Sequence, residues 1–264
     1  MYKKLKFIFQ SCATFKDGFL LLKNTLLFSL LVRFRKGNNI LVNHKVAEKY
    51  KMIFLDNEYD VYLRIQDITI FYEIFYLKSY FRDRRVDLQK SDSPINILDL
   101  GAHIGLFTLF MKINYFPNAT FYCVEPSIEN LKVLNKNLKF ENIKIISKAI
   151  FKNCEGCFFE DSLIGFNQKV VDDDNKLNFV ETIDIENLIL KNDIKFIEVI
   201  KIDIEGSEKY VLDSVNTWLP ITKFTFLELH STITKEEVYS KTSHLLKHKI
   251  YQNEMFSDLL IITM

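Results

Sequence analysis

Glycine and proline are scarce in this chain, at seven and four among 264 residues. Glycine is usually about 7% of a sequence, so collagen-like and Gly/Pro-rich disordered classes are excluded. The four cysteines (Cys12, Cys123, Cys154, Cys157) are too few for a disulfide scaffold. Cys154 and Cys157 have metal-ligand spacing, but zinc needs four ligands and no second pair lies nearby. A turn on Asn153 and Gly156 accounts for them, and a reducing, cytoplasmic setting is expected. An excess of one charge is also missing: 35 basic residues face 34 acidic ones. That argues against a dedicated nucleic-acid binder.

One apolar run stands out, residues 19–32. It is interrupted by Lys23 and short of the ~20 residues of a membrane span. No small-residue cleavage site follows it, so a signal peptide is not expected. Residues 1–39 hold eight basic residues and one acidic. Such a segment could lie on a membrane surface, pack on the main domain or form a dimer contact. Nothing in the sequence sets the oligomeric state.

What is abundant is apolar material: 48% hydrophobic residues, with 24 phenylalanines. Gly37-Asn38-Asn39 marks a boundary. A strand is expected over 59–65, with Val61, Leu63 and Ile65 on one face. A helix capped by Asp67 should run from Ile68 to Phe81, closed by Arg82-Asp83-Arg84-Arg85. Strands are then expected at 95–100, 119–124, 143–147, 196–202 and 223–229. Helices alternate with them at 104–115, 127–140 (capped by Ser127), 185–190, 206–218 and 235–247. Residues 148–183 read as a looser β-rich stretch with a solvated acidic run at 172–174. Residues 250–255 and 259–264 close the chain as a hairpin. The pattern predicts an α/β fold with a parallel sheet covered on both faces. Three units are expected: a helical basic extension (1–58), a strand-helix lead-in (59–94) and the main domain (95–264). Ligands in such folds bind beyond the carboxyl ends of the strands.

Four strand ends carry chemistry, the last two taken together. The first is Asp99-Leu100-Gly101-Ala102-His103-Ile104-Gly105, whose small residues let a ligand approach a helix N-terminus. It lacks the glycine spacing of the dinucleotide fingerprint, which disfavours a dehydrogenase. The second is Glu125-Pro126, an acid placed to accept ribose hydroxyls. The third and fourth are Asp203-Ile204-Glu205-Gly206-Ser207-Glu208 and Glu228-Leu229-His230. Carboxylates there could orient a substrate, act as a base or hold a metal. Glu208 reads as a helix N-terminal acid, and no metal site is assigned. His230 shares a side with Glu228 and is a candidate general base.

The segments ILDLGAHIGLFT, VEPSIENLKVLNKNL, SKAIF, VETIDIENLI, IKIDIEGSEKYVL and FLELH, in this order, resemble the FkbM family of S-adenosylmethionine-dependent methyltransferases. The resemblance covers about residues 59–263. It implies a class I methyltransferase (Rossmann-like) fold, a seven-stranded, mostly parallel sheet with a C-terminal antiparallel hairpin. It also implies that Asp99, Gly101, Ala102 and Gly105 hold the methionine end of S-adenosyl-L-methionine. Glu125 would take the ribose, and Ser147, Lys148 and Ala149 the adenine edge. His103 stands where the family more often has Asn; it could bind the methionine carboxylate or fill the turn. The implied activity is O-methylation of a sugar, polysaccharide or polyketide hydroxyl, with Asp203, Glu205 and His230 as catalytic candidates. A nucleic-acid N-methyltransferase is disfavoured because the loop after Asp203 has no proline. A non-catalytic scaffold tethered by residues 1–39 is the reading of a different class.

Overall fold

The computed structural model describes residues 2–34, 46–83, 86–152, 156–160, 169–171, 179–245, 247–253, 256 and 258–264. The expected boundary at 37–39, Cys154, the acidic run 172–174, and Arg84 and Arg85 lie outside them. The chain opens with helices α1 (Tyr2–Ser11) and α2 (Phe15–Phe34), then a hairpin of β1 (Glu48–Phe54) and β2 (Asn57–Leu63). A 3-10 turn (Ile65–Asp67), α3 (Ile68–Phe71) and a π-helical stretch (Tyr72–Leu77) follow. The main sheet then alternates with helices: β3 (Asn96–Leu100), α4 (Leu106–Asn114), β4 (Thr120–Val124), α5 (Ile128–Asn137) and β5 (Ile143–Ile146). Short pieces come next, β6 (Ala149–Ile150), β7 (Cys157–Glu160), β8 (Lys169–Val171), β9 (Phe179–Val180) and β10 (Thr182–Ile183). The last part runs α6 (Ile185–Lys191), β11 (Ile197–Ile202), α7 (Glu208–Asp213), α8 (Val215–Trp218), β12 (Thr222–Glu228), α9 (Lys235–Thr242), β13 (Lys249–Gln252) and β14 (Leu259–Thr263).

Seven strands form the main sheet in the order β13-β14-β12-β11-β3-β4-β5. Only β14 runs against its neighbours. The strand order reverses between β3 and β11, so the loops after these two strands diverge and leave a crevice. Alternation along the strands divides the core. Ile97, Phe121, Val199 and Phe226 point to one face, where Phe71, Phe110 and the N-terminal elements cover them. Leu98, Leu100, Ile200 and Ile202 point to the other, against Trp218 and Leu260.

Several local expectations give way to the structure. The strand expected to reach Ile65 stops at Leu63, because Arg64 is gripped by Asp67 through Nε (2.8 Å) and Nη2 (2.9 Å). Asp67 therefore caps no helix with its side chain. The helix expected over 68–81 is a short α-turn running into π geometry, closed at Lys78 with a left-handed φ of 54°. The helix expected over 206–218 breaks at Ser214, and that over 235–247 ends at Thr242. Strand β1 was not foreseen; its sequence EKYKMIF mixes charged and apolar residues, and only Tyr50 and Met52 carry the buried face. The N-terminal unit is thus part helix and part strand, and the expected boundary at 58/59 falls inside β2. By contrast, Ser127 does cap α5, its side chain accepting from the Asn130 amide.

Candidate active site

The loop after β3 turns on Gly101, with φ of +80°. A Cβ built there would lie 1.8 Å from the Asp203 carbonyl oxygen. No side chain fits, so the loop lies directly on the end of β11. The amides of Gly101 and Ala102 both donate to the Val124 carbonyl, each at 3.0 Å. His103 follows with φ of +51°, a conformation that His tolerates better than branched residues do. Its amide donates to Glu125 Oε2 at 2.8 Å.

Glu125 is the hub of this side. Its Oε1 accepts from the Ser127 amide (2.9 Å) and from Asn130 Nδ2 (3.1 Å). Asn130 Oδ1 in turn accepts from Arg64 Nη2 at 2.8 Å. That Nη2 also lies 3.3 Å from His103 Nε2. Burial pushes the Glu125 carboxyl up, the donors from Ser127, Asn130 and His103 pull it down, and the balance is a pKa of about 7. Asp99, fully buried behind the loop, accepts from Thr108 at 2.7 Å. Burial raises its pKa, against the pull of Lys201 and Thr108.

The opposite side is built from charges. Lys201 Nζ donates to the Gly101 carbonyl at 3.0 Å and lies 3.0 Å from Asp203 Oδ2 and 3.7 Å from Asp99 Oδ1. Burial alone would lower its pKa, but Asp203 and Asp99 outweigh burial and raise it. His230 Nδ1 is 2.8 Å from Glu208 Oε1, while its Nε2 is 3.3 Å from Glu205 and 3.7 Å from Asp203. Burial opposes the charged ring, yet the bond to Glu208 and the charges of Glu208, Glu205 and Asp203 raise its pKa to about 9. Glu208 does more than favour a helix N-terminus: wholly buried, it accepts from the Ile204 and Gly206 amides and orients His230. Glu228 is raised to about 8 by burial and then by Asp203, with Lys201 pulling the other way. Tyr80 donates to its Oε2 at 3.2 Å.

Both sides face one cavity of about 500 Å³. Of the residues singled out from sequence, Gly101, Ala102, His103, Glu125, Lys148 and Ala149 line one part. Asp203, Glu205 and His230 line the other. Three do not reach it. Asp99 lies beneath the loop, Gly105 packs on Leu138, and Ser147 is exposed to solvent. Lys201, Glu228, Glu73 and Tyr80 also line it, and none of them was among the site residues expected from sequence. For two of them strand alternation was the available signal: Lys201 lies two residues before Asp203, and Glu228 two before His230. Asp203, Glu228 and His230 place one potential ligand atom each within 4.8 Å of one another. The Lys201 ammonium, 3.0 Å from Asp203, sets a positive charge beside this cluster.

The sheet order, the glycine turn and the acid at the end of β4 are the features the sequence resemblance implied. A family model, the methyltransferase FkbM domain, matches residues 99–259. The chain belongs to the FkbM methyltransferase family. Methyltransferase sdnD of Sordaria araneosa is 37% identical over 76 residues, and that match covers 29% of each chain. Among solved structures, Aeropyrum pernix fibrillarin with natively bound S-adenosyl-L-methionine aligns with TM-score 0.43 and 14% identity, over 86% of this chain and 84% of that one. M. jannaschii TYW2 in complex with AdoMet aligns with TM-score 0.41 and 8% identity, over 81% and 84%. The fold assignment rests on this family's own match and on the sheet order, not on those distant superpositions.

Proposed function

We propose that the protein is an S-adenosylmethionine-dependent O-methyltransferase whose acceptor is a hydroxyl of a small molecule or glycan. One observation carries the reading: a single cavity has a glycine turn and a buried acid on one wall and a proton-handling carboxylate cluster on the other. The residues present fit the cofactor. Glu125 accounts for three donors, and a carboxylate has about four acceptor positions, so one remains for a ribose hydroxyl. Gly101, Ala102 and His103 would flank the methionine end, and Lys148 and Ala149 the adenine edge. When bound, the cofactor supplies an already activated methyl group.

The protein's own task is then alignment and proton removal. Asp203, its Oδ2 held by Lys201, orients the acceptor hydroxyl. Glu228, which lines the cavity beside Asp203, takes the hydroxyl proton in its ionised form. His230, protonated at neutral pH, has no free lone pair for that proton, so its part is to hold Glu205 and Asp203 in place. The loop after β11, Asp203-Ile204-Glu205-Gly206, has no proline, which favours a hydroxyl acceptor over a nucleic-acid amine.

Labelled methyl from S-adenosylmethionine, offered with panels of sugars, glycolipids, polyketides and RNA, tests this. Label in a hydroxyl-bearing small molecule or glycan is expected. Label in RNA would replace the acceptor assignment. Failure of S-adenosylmethionine to bind in calorimetry would restore the scaffold reading.

A further inference from the structure

Helix α2 is apolar on both faces, and among the described residues only one of them is covered. Leu21 and Asn24 are buried against the body, and Asn24 Nδ2 donates to Tyr50 Oη at 2.7 Å. Thr25 Oγ1 meets Tyr72 Oη at 2.9 Å. The far face carries Phe15, Phe19, Leu26 and Leu30, which are 78%, 62%, 57% and 50% exposed. At 3.6 residues per turn these four fall within about 60° of one another. Phe9 of α1 extends the stripe, its ring 5.4 Å from Phe19 and 6.2 Å from Phe15. Lys16 and Lys23 border it on one side and Arg33 lies at its C-terminal end, all exposed. The one acid of this helix, Asp17, lies on another side of it.

A helix that is apolar all round belongs in an apolar environment on all sides. Among the described residues, no helix is long and apolar enough to cross a membrane. We infer that the exposed face of α2 docks the protein in the plane of an anionic lipid surface, with Phe15, Phe19, Leu26 and Leu30 in the acyl boundary and Lys16, Lys23 and Arg33 on the headgroups. Charge decides between lipid and a second copy of the chain. A two-fold contact through this face would set the same cations against each other with no acid on either side. Anionic headgroups neutralise them instead. This inference is independent of the methyl acceptor.

The test is co-sedimentation of the full chain with vesicles of phosphatidylcholine alone or with about one-third phosphatidylserine. Binding to the anionic vesicles is expected, weakened about tenfold by raised salt. Phe19→Ser with Leu26→Ser, and separately Lys16→Gln with Lys23→Gln, should each cost about tenfold or more. Cofactor binding should stay unchanged, because none of these side chains lines the cavity, and thermal unfolding should shift little, because beyond the Phe19–Phe9 ring contact they lie outside the core. No binding, equal binding to neutral vesicles, or binding indifferent to both pairs of substitutions would overturn the inference. So would a concentration-dependent dimer in light scattering that Phe19→Ser with Leu26→Ser dissolves.

Discussion

The two walls of the cavity are held by different physics. On the β3–β4 wall, backbone amides and one buried acid satisfy each other: Glu125 collects the amides of His103 and Ser127 and the Asn130 side chain. Its shape depends on what cannot be there, since a Cβ at Gly101 would meet the Asp203 carbonyl. On the β11–β12 wall, shape follows from charge. Lys201 sits among Asp99, Asp203 and the Gly101 carbonyl, and His230 among Glu205, Glu208 and Asp203. A wall of fixed amides is suited to holding one ligand in one pose. A wall of coupled charges is suited to moving a proton.

If that contrast is right, the largest single loss comes from the charge wall. Lys201→Met leaves the wholly buried Asp99 without its counter-ion and Asp203 with only the His230 ring at 3.7 Å. Removing one partner of such a group costs about 3–5 kcal/mol. Denaturant unfolding measures it, and a loss of less than about 1 kcal/mol would mean that the charges do not shape that wall.

Gly101→Ala comes next and attacks the amide wall. Positive φ and collision with the Asp203 backbone together cost about 2–4 kcal/mol. Because the obstacle is the Asp203 backbone just after β11, S-adenosylmethionine affinity and stability should fall together, by calorimetry and thermal unfolding. Loss of affinity alone would place the damage in the ligand rather than in the contact between loops.

The contrast also explains what the sequence made legible. Glycine is so rare here that its use after β3 was itself a signal; the alternation of strands and helices led to the parallel sheet covered on both faces, and the family resemblance implied its seven strands. The charge wall was read only in part. Asp203, Glu205 and His230 were visible as acids and a base at strand ends. Lys201 was hidden inside the apolar run IEVIKI, and its importance appears only when β11 pairs with β3 and sets it opposite Asp99. The raised pKa of His230 could not be foreseen either, because Glu208, its partner at 2.8 Å, comes from the start of α7, 22 residues away. Arg64 lies outside the main domain in sequence, yet it braces the Asn130–Glu125 network from the lead-in segment.

The charge wall should also show itself as a pH dependence of stability. The folded pKa of His230 is raised from 6.5 to about 9. The His230 interactions therefore stabilise fully below 6.5 and are lost as pH rises through about 9. His230→Gln should be about 2–3 kcal/mol less stable than the wild type on the acid side of that window and equal to it on the alkaline side. Parallel unfolding curves across the window would show that the ring is not held by its acids.

The smallest effect probes the amide wall, and its stability effect has the same sign at lower pH, while its effect on cofactor affinity runs the other way. Glu125 is raised from 4.5 to about 7, so the folded, ligand-free protein keeps its proton across that window longer than the unfolded chain does. Stability contributed by this group therefore falls as pH rises from 4.5 to about 7. Ribose hydroxyls donate to the ionised form, so S-adenosylmethionine affinity should rise as pH climbs through about 7, by up to about tenfold per unit. Glu125→Gln should flatten that rise. It should also weaken binding on the alkaline side, because one amide NH₂ must then face either the His103 or the Ser127 N–H. Affinity that ignores pH in the wild type, measured by titration calorimetry, would detach Glu125 from the cofactor and leave it a structural knot between the loops after β3 and β4.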